Sequence, residues 1–173
     1  EKVLGEYLEI FPEDEYTLEK QITLAGKLNN IDRVLQLIEE GYEKYPHQPQ
    51  YVLGMYEVEN EYRKAPRKAL TVLEKSYAKF FNTEIIDKLI AVYWDKGNIN
   101  RVMDLLNDLQ DRYPTSANHY LREAKVHNIS RAYKKADAVM EKAIALAPYS
   151  SYYYGQWAEM YSQRSDMPMA LKM

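Results

Sequence analysis

The chain has 173 residues, of which 46% are hydrophobic and 28% charged, and it contains no cysteine. This composition is typical of a folded, water-soluble protein, and it excludes disulfide frameworks, cysteine-ligated zinc and thiol nucleophiles. The 23 Lys and Arg against 26 Asp and Glu give a formal net charge of −3. This net charge gives no overall electrostatic attraction to a phosphate backbone. We therefore expect no nucleic-acid partner. Because no run of about 18 apolar residues occurs, we also expect no membrane insertion.

Four prolines recur along the chain at a fixed interval. Pro12 and Pro46 lie 34 residues apart, Pro114 and Pro148 lie 34 apart, and Pro46 and Pro114 lie 68 apart. Proline ends helices because it cannot donate the backbone N–H that a helix needs. A period of this length indicates an array of repeats in which each unit packs on its neighbours. The length of the chain therefore reflects the number of repeats rather than the number of domains.

The first elements predict helices that end at these prolines. Residues 1–12 resemble the latter part of a second helix, so we expect them to end a preceding hairpin. Residues 13–46 predict one antiparallel hairpin, with a break at Asn29 and Asn30 because asparagine suits caps and turns. Apolar residues recur at helical spacing on both sides of that break; they are Leu18, Ile22, Ala25, Ile31, Val34, Leu35, Ile38 and Tyr42.

Residues 47–81 predict an irregular second hairpin. Ala69, Leu73 and Tyr77 form the apolar positions of its second helix, and Pro66 lies where a first-turn proline is tolerated. Phe81 stands where the terminal proline is expected. Compared with a regular 34-residue copy, this hairpin therefore contains about one extra residue, and the stretch that follows it is about one residue shorter.

Three further hairpins follow the same plan. Residues 82–114 form the most regular copy, with its break at Gly97 and Asn98. Residues 115–148 form a fourth hairpin, and residues 149–173 give a full first helix followed by barely a turn of a second. Since both ends of the sequence cut through amphipathic helices, we expect the native polypeptide to continue in both directions.

The pattern resembles the tetratricopeptide repeat family over essentially the whole chain. The family places a large, a small and an aromatic residue in the first helix, and a small, a bulky and a small residue in the second. These positions are met by Trp157, Ala158 and Tyr161, and by Ala136, Met140 and Ala143. Ile22, Tyr56 and Ile90 depart from the pattern, because the family prefers Gly or Ala there. The resemblance implies an all-α fold in which hairpins stack into a right-handed superhelix.

The resemblance also implies a concave groove, lined mainly by first helices, that binds a peptide or protein segment. Counting round each helix places these residues in the groove: Tyr16, Glu19, Thr23, Lys27, Leu53, Glu57, Asn60, Glu61, Glu84, Asp87, Ala91, Trp94, Asp95, Leu121, Lys125, Asn128, Tyr152 and Glu159. Glu19, Glu57 and Asp87 stand where some members hold a partner's C-terminal carboxylate with Lys and Asn, so no carboxylate clamp is expected.

The charge of this groove suggests the chemistry of a partner. Acidic residues cluster around Trp94, which favours a basic or arginine-bearing segment that could stack on the indole. The alternative is a solvated acidic surface, with Trp94 packed between repeats.

Other constellations favour structural roles. His119, Glu123 and His127 line one helix face, but the outer two lie about 12 Å apart along the axis, which favours a polar pair within the stack over a metal site. Most of the 17 tyrosines occupy repeat positions where the ring packs between helices. No phosphate loop, dinucleotide fingerprint or nucleophile elbow occurs. We therefore expect no cofactor, no metal and no catalytic residue.

The function predicted from the sequence is a non-catalytic interaction scaffold within a larger protein. One alternative is a recruiting or regulatory arm of an enzyme whose catalytic domain lies outside this chain. A second is an RNA-processing helical-repeat protein, although the basic stripe of such proteins is missing. Self-association through apolar end faces is also open. The cytoplasm is slightly favoured as the compartment, and the periplasm or cell envelope remains open.

Overall fold

The chain is all-α in a computed structural model that describes residues 15–165 and 167–171; the hairpin end predicted over 1–12 lies outside them. Within the described residues there is no strand. The helices are α1 (Glu15–Lys27), α2 (Ile31–Lys44), α3 (Pro49–Glu57), α4 (Pro66–Tyr77), α5 (Thr83–Asp95), α6 (Ile99–Arg112), α7 (Ala117–Ile129), α8 (Tyr133–Leu146), α9 (Ser151–Gln163) and α10 (Met167–Ala170). Contacts divide the chain into two units, Glu1–Leu89 and Ile90–Met173.

Each turn between the two helices of a hairpin contains a residue in the left-handed conformation. The five are Asn29, Lys64, Gly97, Arg131 and Ser165, separated by 35, 33, 34 and 34 residues. In three turns the next N–H reaches back five residues to a carbonyl oxygen at 2.8–2.9 Å, which is the Schellman closure of a helix end. The helices therefore end at the breaks that Asn29 and Gly97 predict, and a second break residue caps the next helix: Asn30 and Asn98 each accept a hydrogen bond from a backbone N–H three residues on.

The second helix of a hairpin ends before its proline. Tyr45, Tyr113 and Ala147 have φ values of −127°, −130° and −142° and ψ values of 58–65°. A proline disfavours helical backbone at the residue before it, and these dihedrals lie outside the helical region. The prolines at 46, 114 and 148 thus act as helix stops in the structure.

The irregular second hairpin contains a π turn, Val58–Tyr62, which continues directly from α3. The Arg63 N–H bonds to the Val58 carbonyl at 3.0 Å, and the Ala65 N–H reaches back six residues to the Glu59 carbonyl at 2.8 Å. A π turn holds one more residue than an α turn. The extra residue of this hairpin therefore lies inside its first helix, and Pro66 begins α4 at a position where proline is tolerated.

The first unit has a core between α1, α2 and α3. Its buried members are Leu18, Ala25, Leu37 and Tyr51. Gly41 on α2 allows Tyr51 to pack, since a Cβ added at Gly41 would lie 2.2 Å from a carbon of the Tyr51 ring. This close approach explains why the position is a glycine.

The second unit has a core between α7, α8 and α9. Its buried members are Ala117, Leu121, Ala124, Ala136, Val139, Met140, Ala143 and Met160. The predicted groove position of Leu121 is therefore wrong: its side chain is 1% exposed. Leu121 follows Ala117 by four residues and precedes Ala124 by three, so all three share the apolar stripe of α7.

No helix within the described ranges is long enough and apolar enough to cross a lipid bilayer.

Candidate partner-binding surfaces

A polar cluster joins α1 to the start of α3 in the first unit. Gln50 Nε2 donates to both Glu15 and Glu19 at 3.0 and 3.1 Å, and Gln48 Nε2 donates to Glu15 at 3.1 Å. The Tyr51 hydroxyl donates to the Glu15 carbonyl oxygen at 3.4 Å. Burial, followed by the charges of Glu19 and Glu15, raises the pKa of Tyr51 above its usual range. Glu19, a predicted groove residue, is thus held in a network rather than loose in solvent.

The other predicted residues of the first unit are mainly exposed. Tyr16 is 55% exposed, with the Lys20 ammonium 4.8 Å from its ring centroid. Leu53 is half-buried, and Asn60 donates to the Glu61 carboxylate at 2.6 Å. The exposed members are Lys27, Glu57, Glu61, Glu84 and Asp87. The first helices of this unit thus present a surface rich in carboxylates.

The π turn carries an ion network beside that surface. Glu59 is buried, and its Oε1 accepts a hydrogen bond from Arg63 Nη1 at 2.7 Å. Arg63 also pairs with Glu39 of α2 through Nη2. The hydrogen bond to Glu59 raises the pKa of the Arg63 guanidinium, with Glu39 adding to the effect. The network ties the second hairpin to α2.

In the second unit, three further predicted residues differ in their exposure. Trp94 is half-buried and Asp95 exposed. Tyr152 is 56% exposed and contacts Tyr153 edge to face, with ring centroids 5.3 Å apart. The clustering of acidic residues around Trp94 stays a prediction.

Lys125 and Asn128 are brought together in a shallow cavity of about 100 Å³ between α7 and α9. We call this cavity the α7–α9 groove. Five of its seven lining residues are polar or charged; the lining residues are Lys125, Asn128, Ile129, Gln156, Glu159, Met160 and Gln163. Asn128 is buried, and its Nδ2 donates to Gln163 Oε1 at 3.0 Å, which bridges the two helices. Lys125 forms no ion pair within the described residues.

Sequence reasoning missed two residues of this groove, Gln156 and Gln163. Gln163 follows Gln156 by seven residues on α9. Glu159 lies between them and was placed in the groove by the sequence. Gln156 Nε2 donates to Glu159 Oε2 at 3.2 Å. The signal that could have found them is this i, i+3, i+7 spacing, because residues so spaced lie on one helix face.

Glu123 and His127 form a polar pair within the helical layer. His127 Nε2 lies 3.3 Å from Glu123 Oε1, and Gln110 Nε2 donates to Glu123 Oε2 at 2.7 Å. Over residues 15–165 and 167–171, no group of three His, Asp or Glu side chains is arranged to hold a metal ion. The hydrogen bond from Gln110 to Glu123 links α6 to α7.

Helical hairpins, repeated left-handed turns and a polar surface on first helices define a protein with the tetratricopeptide fold. The backbone thus forms the helical hairpins that the residue pattern predicts. No family model and no curated protein sequence matches the chain, so the likeness rests on structure.

Several solved structures share this fold. MamA from Desulfovibrio magneticus RS-1 superposes with a TM-score of 0.62 at 15% identity, over 90% of this chain and 88% of that one. MamA of AMB-1 gives 0.58 at 19% identity, over 91% and 85%. YrrB, described as a TPR protein with an unusual peptide-binding site, gives 0.62 at 14% identity, over 98% and 87%. Identities this low establish the fold alone.

Proposed function

We propose that this chain is a protein-interaction module that binds a segment of a partner across its first helices, with the α7–α9 groove as the contact site in the second unit. The observation that carries the proposal is the arrangement of that groove. Lys125 and Glu159 offer opposite charges, while Asn128, Gln156 and Gln163 offer carboxamides, at the junction of two adjacent first helices. Internal hydrogen bonds use both ends of Asn128, the oxygen of Gln163 and the amide nitrogen of Gln156. The Gln163 amide nitrogen is left as a donor and the Gln156 oxygen as an acceptor, which suits a peptide backbone.

The fold supports the same role. A structural neighbour, YrrB, is described as having a peptide-binding site. In the first unit, exposed Glu57, Glu61 and Glu84 make the surface of the first helices acidic. We propose that this surface contacts a basic stretch of the partner, because opposite charge guides association and suppresses wrong partners.

The test begins with peptides selected from a random display library on the wild-type chain. Their affinity is then measured by fluorescence anisotropy for a double variant, Lys125→Glu with Glu159→Lys. This exchange keeps the net charge but inverts both charges of the groove. We expect affinity to fall about tenfold or more, because hydrogen bonds to charged groups contribute roughly 1.5–3 kcal/mol.

A matched control exchanges two charges outside the groove. Glu141→Lys with Lys142→Glu inverts two exposed residues of α8 and also keeps the net charge. We expect peptide affinity to stay within twofold of wild type. The proposal is wrong if no peptide is enriched, or if both exchanges weaken binding equally while thermal melting shows both variants folded.

A further inference from the structure

A second cavity lies next to the α7–α9 groove, beside the α7–α8 turn and the end of α9. It encloses about 290 Å³ and is lined by Asn128, Ile129, Arg131, Tyr133, Gln163 and Arg164. Asn128, Ile129 and Gln163 also line the groove. The lining holds two arginines and no carboxylate, in a chain with more acidic than basic residues. We call it the arginine cavity.

Arg164 is held rigidly at the wall of this cavity. Its side chain is 7% exposed, and Nη1 donates to both carboxylate oxygens of Asp137 at 2.8 and 2.9 Å. The guanidinium lies 4.8 Å from the ring centroid of Tyr133 and 4.6 Å from that of Tyr161. Trp157 Nε1 also donates to Asp137, at 3.0 Å. The Asp137 carboxylate thus accepts hydrogen bonds from both Arg164 and Trp157.

A chain of hydrogen bonds fixes the direction of every carboxamide in the cavity. Arg164 Nε donates to Asn128 Oδ1 at 2.6 Å. Because arginine only donates, Asn128 must present its oxygen there and its amide nitrogen elsewhere. That nitrogen donates to Gln163 Oε1 at 3.0 Å, so Gln163 is left with Nε2, a donor, at its other end.

The side-chain nitrogen groups that remain are therefore donors. Arg164 Nη2 is buried and has no acceptor within the described residues. Arg131 is exposed at the left-handed position of the α7–α8 turn, and its guanidinium forms no ion pair with any described residue. Gln163 Nε2 likewise has no acceptor in the described part of the chain. Two guanidiniums and an amide suit an anion with several oxygens.

We propose that the arginine cavity binds an oxyanion, a phosphate or a carboxylate, through Arg131, Gln163 and Arg164. The Asp137 carboxylate and the carboxamide oxygens of Asn128 and Gln163 accept from internal donors. A ligand that binds the remaining nitrogen donors must therefore supply acceptor oxygens. The positive charge of Arg131, which no described carboxylate neutralises, favours a negatively charged ligand over a neutral one. The site shares Asn128, Ile129 and Gln163 with the lining of the α7–α9 groove, but Arg131 and Arg164 lie outside that lining, and the proposal does not rest on the peptide contact at Lys125 and Glu159.

The experiment follows backbone amide resonances while inorganic phosphate is added at constant ionic strength. We expect saturable shifts at residues 128–133 and 163–164. Arg131→Gln should weaken phosphate binding about tenfold or more, the effect of losing one charge-assisted hydrogen bond. Gln163→Glu should abolish binding, because it replaces the donor with a carboxylate. Both variants leave the buried contacts of Arg164 in place, so the fold should persist.

The control is Lys142→Gln, which removes one positive charge from an exposed position on α8. We expect it to bind phosphate within twofold of wild type. The proposal is overturned if the shifts do not saturate, or if Lys142→Gln weakens binding as much as Arg131→Gln.

A second arm identifies the source of the oxyanion. Two capped peptides differ only by Glu or Gln at one position, and each is titrated into wild type and Arg131→Gln. Arg131-dependent binding of phosphate alone supports a free oxyanion, and Arg131-dependent preference for the Glu peptide supports a side-chain carboxylate. If neither phosphate binding nor the preference depends on Arg131, the cavity is not an oxyanion site, whatever the α7–α9 groove binds.

Discussion

The first and second hairpins share one plan but differ by one residue in how the first helix ends. In the first hairpin, the Asn30 N–H closes the end of α1 by reaching back five residues to Ala25. In the second, the Ala65 N–H reaches back six residues to Glu59. The inserted residue is absorbed by the π turn before the break, so the left-handed residue keeps its role in both turns.

This difference shows what the repeat holds constant. The turn geometry is preserved because it directs the second helix back along the first, whereas one helical turn can widen with a small loss of hydrogen-bond quality. The wider turn places Glu59 in a buried position, where a carboxylate needs a partner. Arg63, at the end of the same turn, supplies it. The insertion and the ion network therefore belong together.

The largest expected effect comes from the contact that joins the two hairpins. Gly41→Ala places a Cβ 2.2 Å from a ring carbon of buried Tyr51, so α2 and α3 must separate or the ring must move. We expect a loss of about 3 kcal/mol in the free energy of unfolding, measured by urea denaturation. Gly155→Ala is the matched control, because a Cβ there meets nothing within 4 Å. It should stabilise α9 slightly, and equal losses would contradict the packing described.

The ion network of the π turn gives the next effect. Arg63→Met leaves the Glu59 carboxylate buried without its donor, and we expect a loss of about 2 kcal/mol in unfolding free energy. The double variant Glu59→Leu with Arg63→Met removes the buried charge as well and should recover most of that loss. If the double variant is no more stable than Arg63→Met, then Arg63 does not act by neutralising Glu59.

The turns of the first and second hairpins also differ in the N-cap of the helix that follows, and we expect a smaller effect on stability from this difference. Asn30 Oδ1 accepts from the Arg33 N–H at 3.2 Å, whereas Ala65 at the start of α4 provides no side-chain cap. We expect Asn30→Ala to cost about 1 kcal/mol and Ala65→Asn to gain less than that, by thermal melting. A loss on introducing the cap at Ala65 would show that the π turn imposes a different helix start.

The smallest effect concerns the left-handed residue itself. Lys64 has φ of 52°, a conformation that carries a steric cost for any residue with a Cβ, while Gly97 holds the same place in the third hairpin. Lys64→Gly should therefore stabilise the chain by up to about 1 kcal/mol. Gly97→Ala should destabilise it by a similar amount. Denaturation midpoints that move in the same direction for both variants would contradict the equivalence of the two turns.

The hairpin plan could be predicted from the sequence because its determinants are local. Prolines, break residues such as Asn29 and Gly97, and apolar spacing each act within one or two helical turns. The π turn could not be located, since one extra residue in the helix or in the loop gives the same spacing between prolines. Its position depends on burying Val58 and pairing Glu59, which are tertiary effects.

The binding surfaces were predicted only in part. Counting round each helix placed Lys125, Asn128 and Glu159 among the groove residues, and the structure brings these three to one cavity. The same counting failed at Leu121, because Leu121 lies at regular helical spacing from buried Ala117 and Ala124 and so belongs to the packed face of α7. The role of Arg164 was missed because its partners, Asn128 and Asp137, lie 36 and 27 residues earlier. Only tertiary packing brings these groups to one place.

The central claim, that a partner segment binds across the first helices, is tested most directly by mapping amide shifts when a selected peptide is added to the isotope-labelled chain. The account predicts that, in the second unit, the shifted resonances belong to residues 125–129 of α7 and 156–163 of α9, with α8 unaffected. Shifts concentrated on the exposed face of α8, with none on α7 or α9, would contradict it.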